Sequence, residues 1–255
     1  MQKHLWRLID TGVGTGAWNM AVDAALLEFF HETARPVLRL YGWEDSVSLG
    51  RFQKSGEALD MARMETAGLP YVRRMTGGGA LVHGGDLSYS LVFPREMLEG
   101  MGVKASYRYL CGFLIALYGR LGLRAEFACE AGREENRSPV CLAGTEAYDI
   151  LIDGKKMGGN AQRYTKKGVL MHGSIPMQID TERFDKIFRS DSGLGRAASL
   201  ESLGVGVEYG KLAALAAESF RESFGVRTSP GELSDGEKTR AAELMRTQYA
   251  TKESR

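Results

Sequence analysis

The chain has 255 residues, of which 44% are hydrophobic and 25% charged, enough for a packed core in one large domain or two small ones. Its 33 basic and 32 acidic side chains leave a formal charge of +1, so there is no electrostatic case for nucleic acid or a membrane surface as partner, although local patches stay open. No stretch approaches the roughly 18 apolar residues of a membrane helix, and residues 1–7 are broken by charge before an apolar run develops, which points to a cytoplasmic protein.

Residues 6–10 read as a strand, and the glycine-rich residues 11–16 are expected to break it before a helix that carries Trp18, Val22, Ala25 and Phe29 on one face. Residues 37–41 and 46–49 are β-branched and aromatic enough to be strands. Residues 57–67 look helical up to Gly68, residues 71–74 begin another strand, and residues 87–93 read as a buried strand closed by Pro94. From Ser106 onward, Leu110, Phe113, Leu114, Leu117 and Leu121 recur at helical spacing, with Gly122 as the stop.

The three cysteines, Cys111, Cys129 and Cys141, are odd in number and irregularly spaced, which indicates neither a disulfide framework nor a CxxC metal site. Cys111 lies beside the helical stripe and reads as a small buried hydrophobe, while nothing near Cys129 marks it as reactive. Residues 130–139 lack apolar periodicity and form a loop that ends at Val140-Cys141. Asp153-Gly154, between expected strands at 148–152 and 155–161, is a strong hairpin signal, and residues 169–175 make the next strand. Helices are expected over residues 181–188, over residues 211–224, and from the capping box Ser234-Asp235-Gly236-Glu237 to about Tyr249. No repeat, linker or sharp boundary divides the chain. Residues 1–205 read as a catalytic domain and residues 206–255 as helices closing the same domain; the class is α/β (α+β), a mixed β-sheet covered by helices.

The most informative stretch is Arg73-Arg74-Met75-Thr76-Gly77-Gly78-Gly79-Ala80-Leu81-Val82-His83, followed by Leu87-Ser88-Tyr89-Ser90. Consecutive glycines let a backbone approach a ligand closely and expose its N–H groups, and arginines are permanently charged donors, so the run suits an oxygen-rich or carbonyl-bearing substrate. Taken alone, it also describes a glycine-rich hairpin beside solvated arginines. With its flanks, the stretch resembles the signature of the biotin/lipoate protein ligase family. Ser138-Pro139-Val140-Cys141, then Tyr148-Asp149 and Gly154-Lys155-Lys156-Met157-Gly158-Gly159-Asn160-Ala161-Gln162, resembles more narrowly the cysteine-dependent octanoyltransferases of the LipM type. Arg163, Gly168 and His172-Gly173-Ser174-Ile175 continue the match, which extends with gaps from Trp6 to about residue 180. The sequence departs from the LipM pattern at Gly79, where arginine is usual and ATP-using lipoate ligases have glycine, and at Gly84, where the family tends to place aspartate.

The resemblance implies the catalytic-domain fold of the biotin and lipoate ligases, with Cys141 as the acyl-thioester nucleophile and Lys156 as its activator. The chemistry agrees, because an ordinary thiol with a pKa near roughly 8.5 is mostly protonated at neutral pH unless a cation lies close. Adjacent strand residues face opposite ways, so Lys155 cannot share that role. Substrate binding is expected of Arg73, Arg74, Thr76, Gly77, Gly78, Gly79, His83, Gly158, Asn160, Ala161, His172 and Gly173. Residues 41–43 and 49–53 resemble family segments near the acyl pocket. No grouping has zinc-ligand spacing, so neither a metal nor a cofactor is expected. The implied activity moves octanoate from octanoyl-acyl carrier protein to a lysine of a lipoyl-domain protein, such as glycine cleavage H protein. Three alternatives stay open: a lipoate ligase using ATP and Mg, an amidotransferase working between lipoyl domains, and a non-catalytic lipoyl-domain or acyl-binding module.

Overall fold

The computed structural model describes residues 5–33 and 35–249, so residues 1–4 of the amino-terminal reading lie outside the described residues. The first strand, β1 (Leu5–Gly14), runs through the glycines expected to end it. Its register slips between Asp10 and Val13, and the bulge takes up Gly12 at φ 63°, so the extra residues bend the strand instead of stopping it. Helix α1 (Gly16–Thr33) follows. Met20, Val22, Ala25 and Leu26 are all almost inaccessible, so the single apolar face expected for this helix was too narrow.

Strands β2 (Val37–Trp43) and β3 (Ser46–Leu49) fall where expected, but residues 57–67 divide into α2 (Ser55–Ala58) and α3 (Met61–Thr66). Asp60 causes the break, since its carboxylate caps α3 by accepting the Arg63 N–H at 3.2 Å. Then come β4 (Tyr71–Arg73), β5 (Leu81–His83), β6 (Asp86–Phe93), α4 (Val103–Arg120), β7 (Ala125–Phe127), β8 (Ile150–Ile152) and β9 (Lys155–Lys156). The β8–β9 turn has φ 50° at Asp153 and 71° at Gly154, the left-handed pair that a tight hairpin requires. Its second strand does not continue to residue 161. The chain leaves at Gly158 and enters β10 (Gly159–Tyr164) in another sheet, beside β11 (Val169–Pro176). A Cβ at Gly158 would lie 2.0 Å from the Ser174 carbonyl oxygen, so only glycine passes there.

The chain ends with α5 (Thr181–Phe184), α6 (Tyr209–Phe224), β12 (Arg227–Pro230) and α7 (Asp235–Leu244), the last continued by a wider turn over Met245–Tyr249. Strand β12 corrects the reading of residues 206–255 as helices alone. It is an edge strand, short, polar and ended by Pro230, and such a segment has no apolar alternation to reveal it.

The large sheet has the order β10-β11-β6-β2-β1-β12, with β1 parallel to β2 and β12 and the other pairs antiparallel. On β2 and β6 the faces alternate. Leu38, Leu40, Leu87, Tyr89 and Leu91 pack with α4 and α6, whereas Val37, Tyr41, Trp43 and Val92 pack with α1 and α7. The expected mixed sheet covered by helices is thus the architecture. Two three-stranded sheets, β4-β3-β5 and β7-β8-β9, carry the glycine motif and the hairpin. No helix among the described residues is long and apolar enough to cross a membrane.

One polar residue breaks the apolar α1 face of β2. Arg39 is fully buried and donates to Asp23 Oδ1 at 2.8 Å, to the Asn19 carbonyl at 3.0 Å and to Asn19 Oδ1 at 2.7 Å. Breaking a buried pair strands the remaining charge, so Arg39→Met should lower the unfolding free energy by about 3–5 kcal/mol. Urea titration followed by tryptophan fluorescence checks this, and a loss below about 1 kcal/mol would mean that Asp23 is held by its other partners.

Candidate active site

Cys141 opens a single turn of 3-10 helix, Cys141–Ala143, at the end of the long loop. A parallel bridge ties that loop to the glycine motif: the Ala80 N–H donates to the Pro139 carbonyl and the Cys141 N–H to the Ala80 carbonyl, each at 2.8 Å. The bridge needs Gly79, because a Cβ there would lie 2.6 Å from the Cys141 nitrogen. Gly159, at the start of β10, meets the cysteine from another side, and a Cβ there would stand 2.6 Å from Sγ. The thiol is half-buried between these glycines. Cys111 is sealed in the core, where burial and then the charge of Asp149 push its thiol pKa up, and Cys129 is exposed.

Pairing of Leu151 with Lys156 across the hairpin turns Lys156 inward, while Lys155 is exposed. The Lys156 ammonium donates to the Cys141 carbonyl at 2.7 Å and the Gly144 carbonyl at 3.1 Å, and it pairs with Asp149 Oδ2 at 2.7 Å. An ammonium has three protons, and these partners take all of them. Burial opposes its charge, but the neighbouring Cys141 and Asp149 side chains outweigh burial and hold its pKa above the ordinary value. Lys156 therefore clamps the cysteine loop through the main chain, and Asp149 is the partner that makes this buried cation affordable.

A small, partly open cavity lies at the thiol, with Cys141 in its wall. Of the residues expected to bind substrate, Arg74, Gly77, Gly78, His83, Asn160, Ala161, His172 and Gly173 line it, and so do Tyr41 and Trp43. The others lie elsewhere. Arg73 faces a neighbouring cleft together with Arg51, Phe52 and Gln53 of the 49–53 segment, Gly79 packs on the cysteine loop, and Gly158 packs on Ser174. Thr76 is buried behind the wall and shares a 2.7 Å hydrogen bond with His172 Nε2.

Two histidine–carboxylate pairs support the pocket from below. Asp23 Oδ2 lies 3.0 Å from His172 Nδ1, and Asp86 Oδ2 lies 3.0 Å from His83 Nδ1. Burial would raise both carboxyl pKa values, but the histidine contacts together with Arg39 at Asp23 and Ser174 at Asp86 bring them below the usual range. For His172, burial comes first and lowers its pKa despite Asp23, favouring the neutral ring. His83 Nε2 reaches Ser48 Oγ at 2.8 Å, and Ser48 Oγ accepts from Arg74 at 2.6 Å. A chain of hydrogen bonds thus runs from Asp86 to the guanidinium beside the thiol. Trp43 stacks on His83 with centroids 3.8 Å apart. Gly84, at φ 122°, would place a Cβ 2.0 Å from Asp45 Oδ1, so the carboxylate for His83 comes two residues later, from Asp86. Sequence reading missed Asp23, Arg39, Ser48, Asp86 and Gly159; for Asp86, the His-Gly-Gly-Asp spacing before a buried strand was the available signal. Among the described residues no cluster of three or more His, Cys, Asp or Glu could hold a metal ion.

The family profile for the lipoyl protein ligase A/B catalytic domain matches residues 15–219, most of the chain. The chain belongs to this family. Within it, the sequence is similar to octanoyltransferase LipM of Kyrpidia tusciae, with 36% identity over 94% of this chain and 94% of that protein. It is also similar to octanoyltransferase LipM of Moorella thermoacetica, with 35% identity over 98% and 97%. The lipoyl ligase fold is shared with a crystal structure of lipoate-protein ligase A bound with ATP, at a TM-score of 0.82 and 25% identity over 98% of this chain and 97% of that one. As expected, the chain is an enzyme of the acyltransferase class.

Two outcomes test this geometry. Gly159→Ala should push Sγ off its seat, cutting thiol alkylation and acyl transfer by about tenfold or more while lowering the unfolding midpoint only slightly, since a methyl group at an ordinary φ costs little backbone strain. Iodoacetamide labelling beside thermal melting checks it. The second concerns His172, whose folded pKa lies below its unfolded value. The stability gained by keeping it neutral is whole above about pH 6.5 and is lost as pH falls towards the folded value. His172→Gln should flatten the fall in unfolding free energy between about pH 6.5 and 5 in urea titrations; an unchanged slope would place that fall on other groups.

Proposed function

We propose that the chain is an octanoyltransferase of protein lipoylation, which takes octanoate from octanoyl-acyl carrier protein and delivers it to a lysine of a lipoyl-domain protein such as glycine cleavage H protein. The observation that carries this reading is the half-buried thiol of Cys141, seated between Gly79 and Gly159 with Lys156 clamped on its own carbonyl. Relatives named octanoyltransferases over nearly the whole chain support the acyl group.

In the first half-reaction the Cys141 thiolate attacks the carbonyl carbon of the donor thioester. A carbon–Sγ bond forms, the attacked oxygen takes the negative charge, and collapse breaks the bond to the carrier sulfur, which leaves as thiolate and takes a proton. Arg74, charged and bordering the same pocket, opposes the charge on that oxygen, and Gly77 and Gly78 leave room for the backbone to approach it. Tyr41, Trp43 and Leu81 offer apolar surface to the octanoyl chain. In the second half-reaction the neutral lysine amine of the acceptor attacks the acyl-enzyme. The carbon–nitrogen bond forms, the bond to Sγ breaks, and the proton lost from nitrogen returns to the thiolate. A thioester is already activated, so neither half-reaction calls for ATP.

The ligase reading draws its support from Gly79 and from the ATP-bound structural relative. Yet Gly79 is accounted for by its contact with the Cys141 backbone, without any nucleotide. Intact mass after incubation with octanoyl-acyl carrier protein in the absence of ATP separates the two. One octanoyl adduct is expected on the native chain, on Cys111→Ser and on Cys129→Ser, but not as a turning-over species on Cys141→Ser. Full transfer by Cys141→Ser, or acylation of a lipoyl domain only when ATP is present, would overturn the thioester route.

A further inference from the structure

A second cavity adjoins the thiol pocket at Arg74, which borders both. It is the larger of the two, with about 1360 Å³ of empty space, and its wall carries Arg51, Lys54, Arg73 and Arg163 besides Arg74. No aspartate or glutamate among the described residues lines it. In a chain whose formal charge is only +1, this concentration of cations is a matter of placement and not of composition. Arg163 donates to the Met75 carbonyl at 2.7 Å, which orients the guanidinium without neutralising it. Arg51 has its guanidinium 5.6 Å from the Phe52 ring. Lys54 pairs with Glu57 at 3.4 Å, but both side chains are well exposed, and such a pair holds little charge in place. Burial and then the charge of Arg51 disfavour the charged form of Arg163, so like charges already repel across this wall.

We propose that this cavity is the phosphate subsite for the acyl donor: it receives the phosphate ester of the prosthetic arm that carries the thioester, so that the arm runs past Arg74 and the Gly77-Gly78 backbone to Cys141. The inference rests on the donor proposed above. Guanidinium groups present planar forks that match the oxygens of a phosphate, and an anion placed between Arg51 and Arg163 would relieve their repulsion. A thioester delivered on a phosphate-bearing arm holds its anion at a fixed number of bonds from the reacting carbonyl. A cationic cavity sharing a wall with the thiol pocket is the arrangement that such a substrate needs.

The test compares two donors with the same thioester, octanoyl-phosphopantetheine and octanoyl-pantetheine, which lacks the phosphate. The readout is the second-order rate of acyl-enzyme formation by intact mass, for the native chain, for the double variant Arg51→Gln with Arg163→Gln, and for Arg163→Lys. The native chain should react with the phosphate-bearing donor about tenfold faster or more, as expected for charge-assisted hydrogen bonds. The ratio of the two rates should collapse towards one in the double variant and be largely kept in Arg163→Lys. Equal rates from the two donors in the native chain would overturn the subsite while leaving the thioester route intact. No acylation by either donor would overturn the donor reading and this inference with it. Binding of ATP, followed by calorimetry, covers the other source of phosphate. If the double variant weakens ATP binding while the donor ratio is unchanged, the cavity is a nucleotide site and the proposal fails.

Discussion

The buried ammonium of Lys156 is the constraint on which the site depends. Taking a cation out of water costs several kcal/mol, and the structure tolerates it because each proton finds an acceptor: the carbonyls of Cys141 and Gly144 and the carboxylate of Asp149. Those acceptors belong to one irregular loop, closed within itself by a single antiparallel bridge between Asn136 and Thr145. The clamp fixes that loop from one side, and the bridge between Ala80 and Val140 fixes it from the other. A cysteine on a connecting segment is thereby anchored from two sides, as suits a nucleophile that must meet a carbonyl at short range.

The same logic governs the polar layer beneath the pocket. Asp23, Arg39 and His172 form one group, and Asp86, His83 and Ser48 another, all inaccessible to solvent or nearly so. Each persists because its hydrogen bonds are met within the fold, and low polarity around them strengthens those bonds. Through Ser48 the second group reaches Arg74. The guanidinium in the pocket is thus oriented by a chain that begins at a carboxylate with no access to substrate.

The departures from the family pattern have local steric causes. Gly79 lies where the glycine motif touches the Cys141 loop, so a side chain there would need the backbone to move, while Gly84 has a φ of 122° that favours glycine and faces the Asp45 carboxylate. Charge shows a similar separation of scales. A chain with nearly equal numbers of acids and bases still places four arginines on one cavity wall beside the thiol, because formal charge is a sum and a cavity is a place.

Sequence by itself determined the elements with strong local periodicity: α4 and α6 from their apolar stripes, β2 and β6 from their β-branched and aromatic runs, the hairpin at Asp153-Gly154 and the capping box at Ser234. It also singled out Cys141 and Lys156, through motifs in which the relevant residues are close along the chain. Tertiary structure decided the rest. It carried β1 through a bulge, split the strand after Lys156 between two sheets, and added β12 at an edge. It alone brought His172 to Asp23 across 149 positions and Pro139 to Gln53 across 86. Periodicity and turn chemistry are written into neighbouring residues, whereas a buried charge finds its partner only after the chain has folded and water has been excluded from around it.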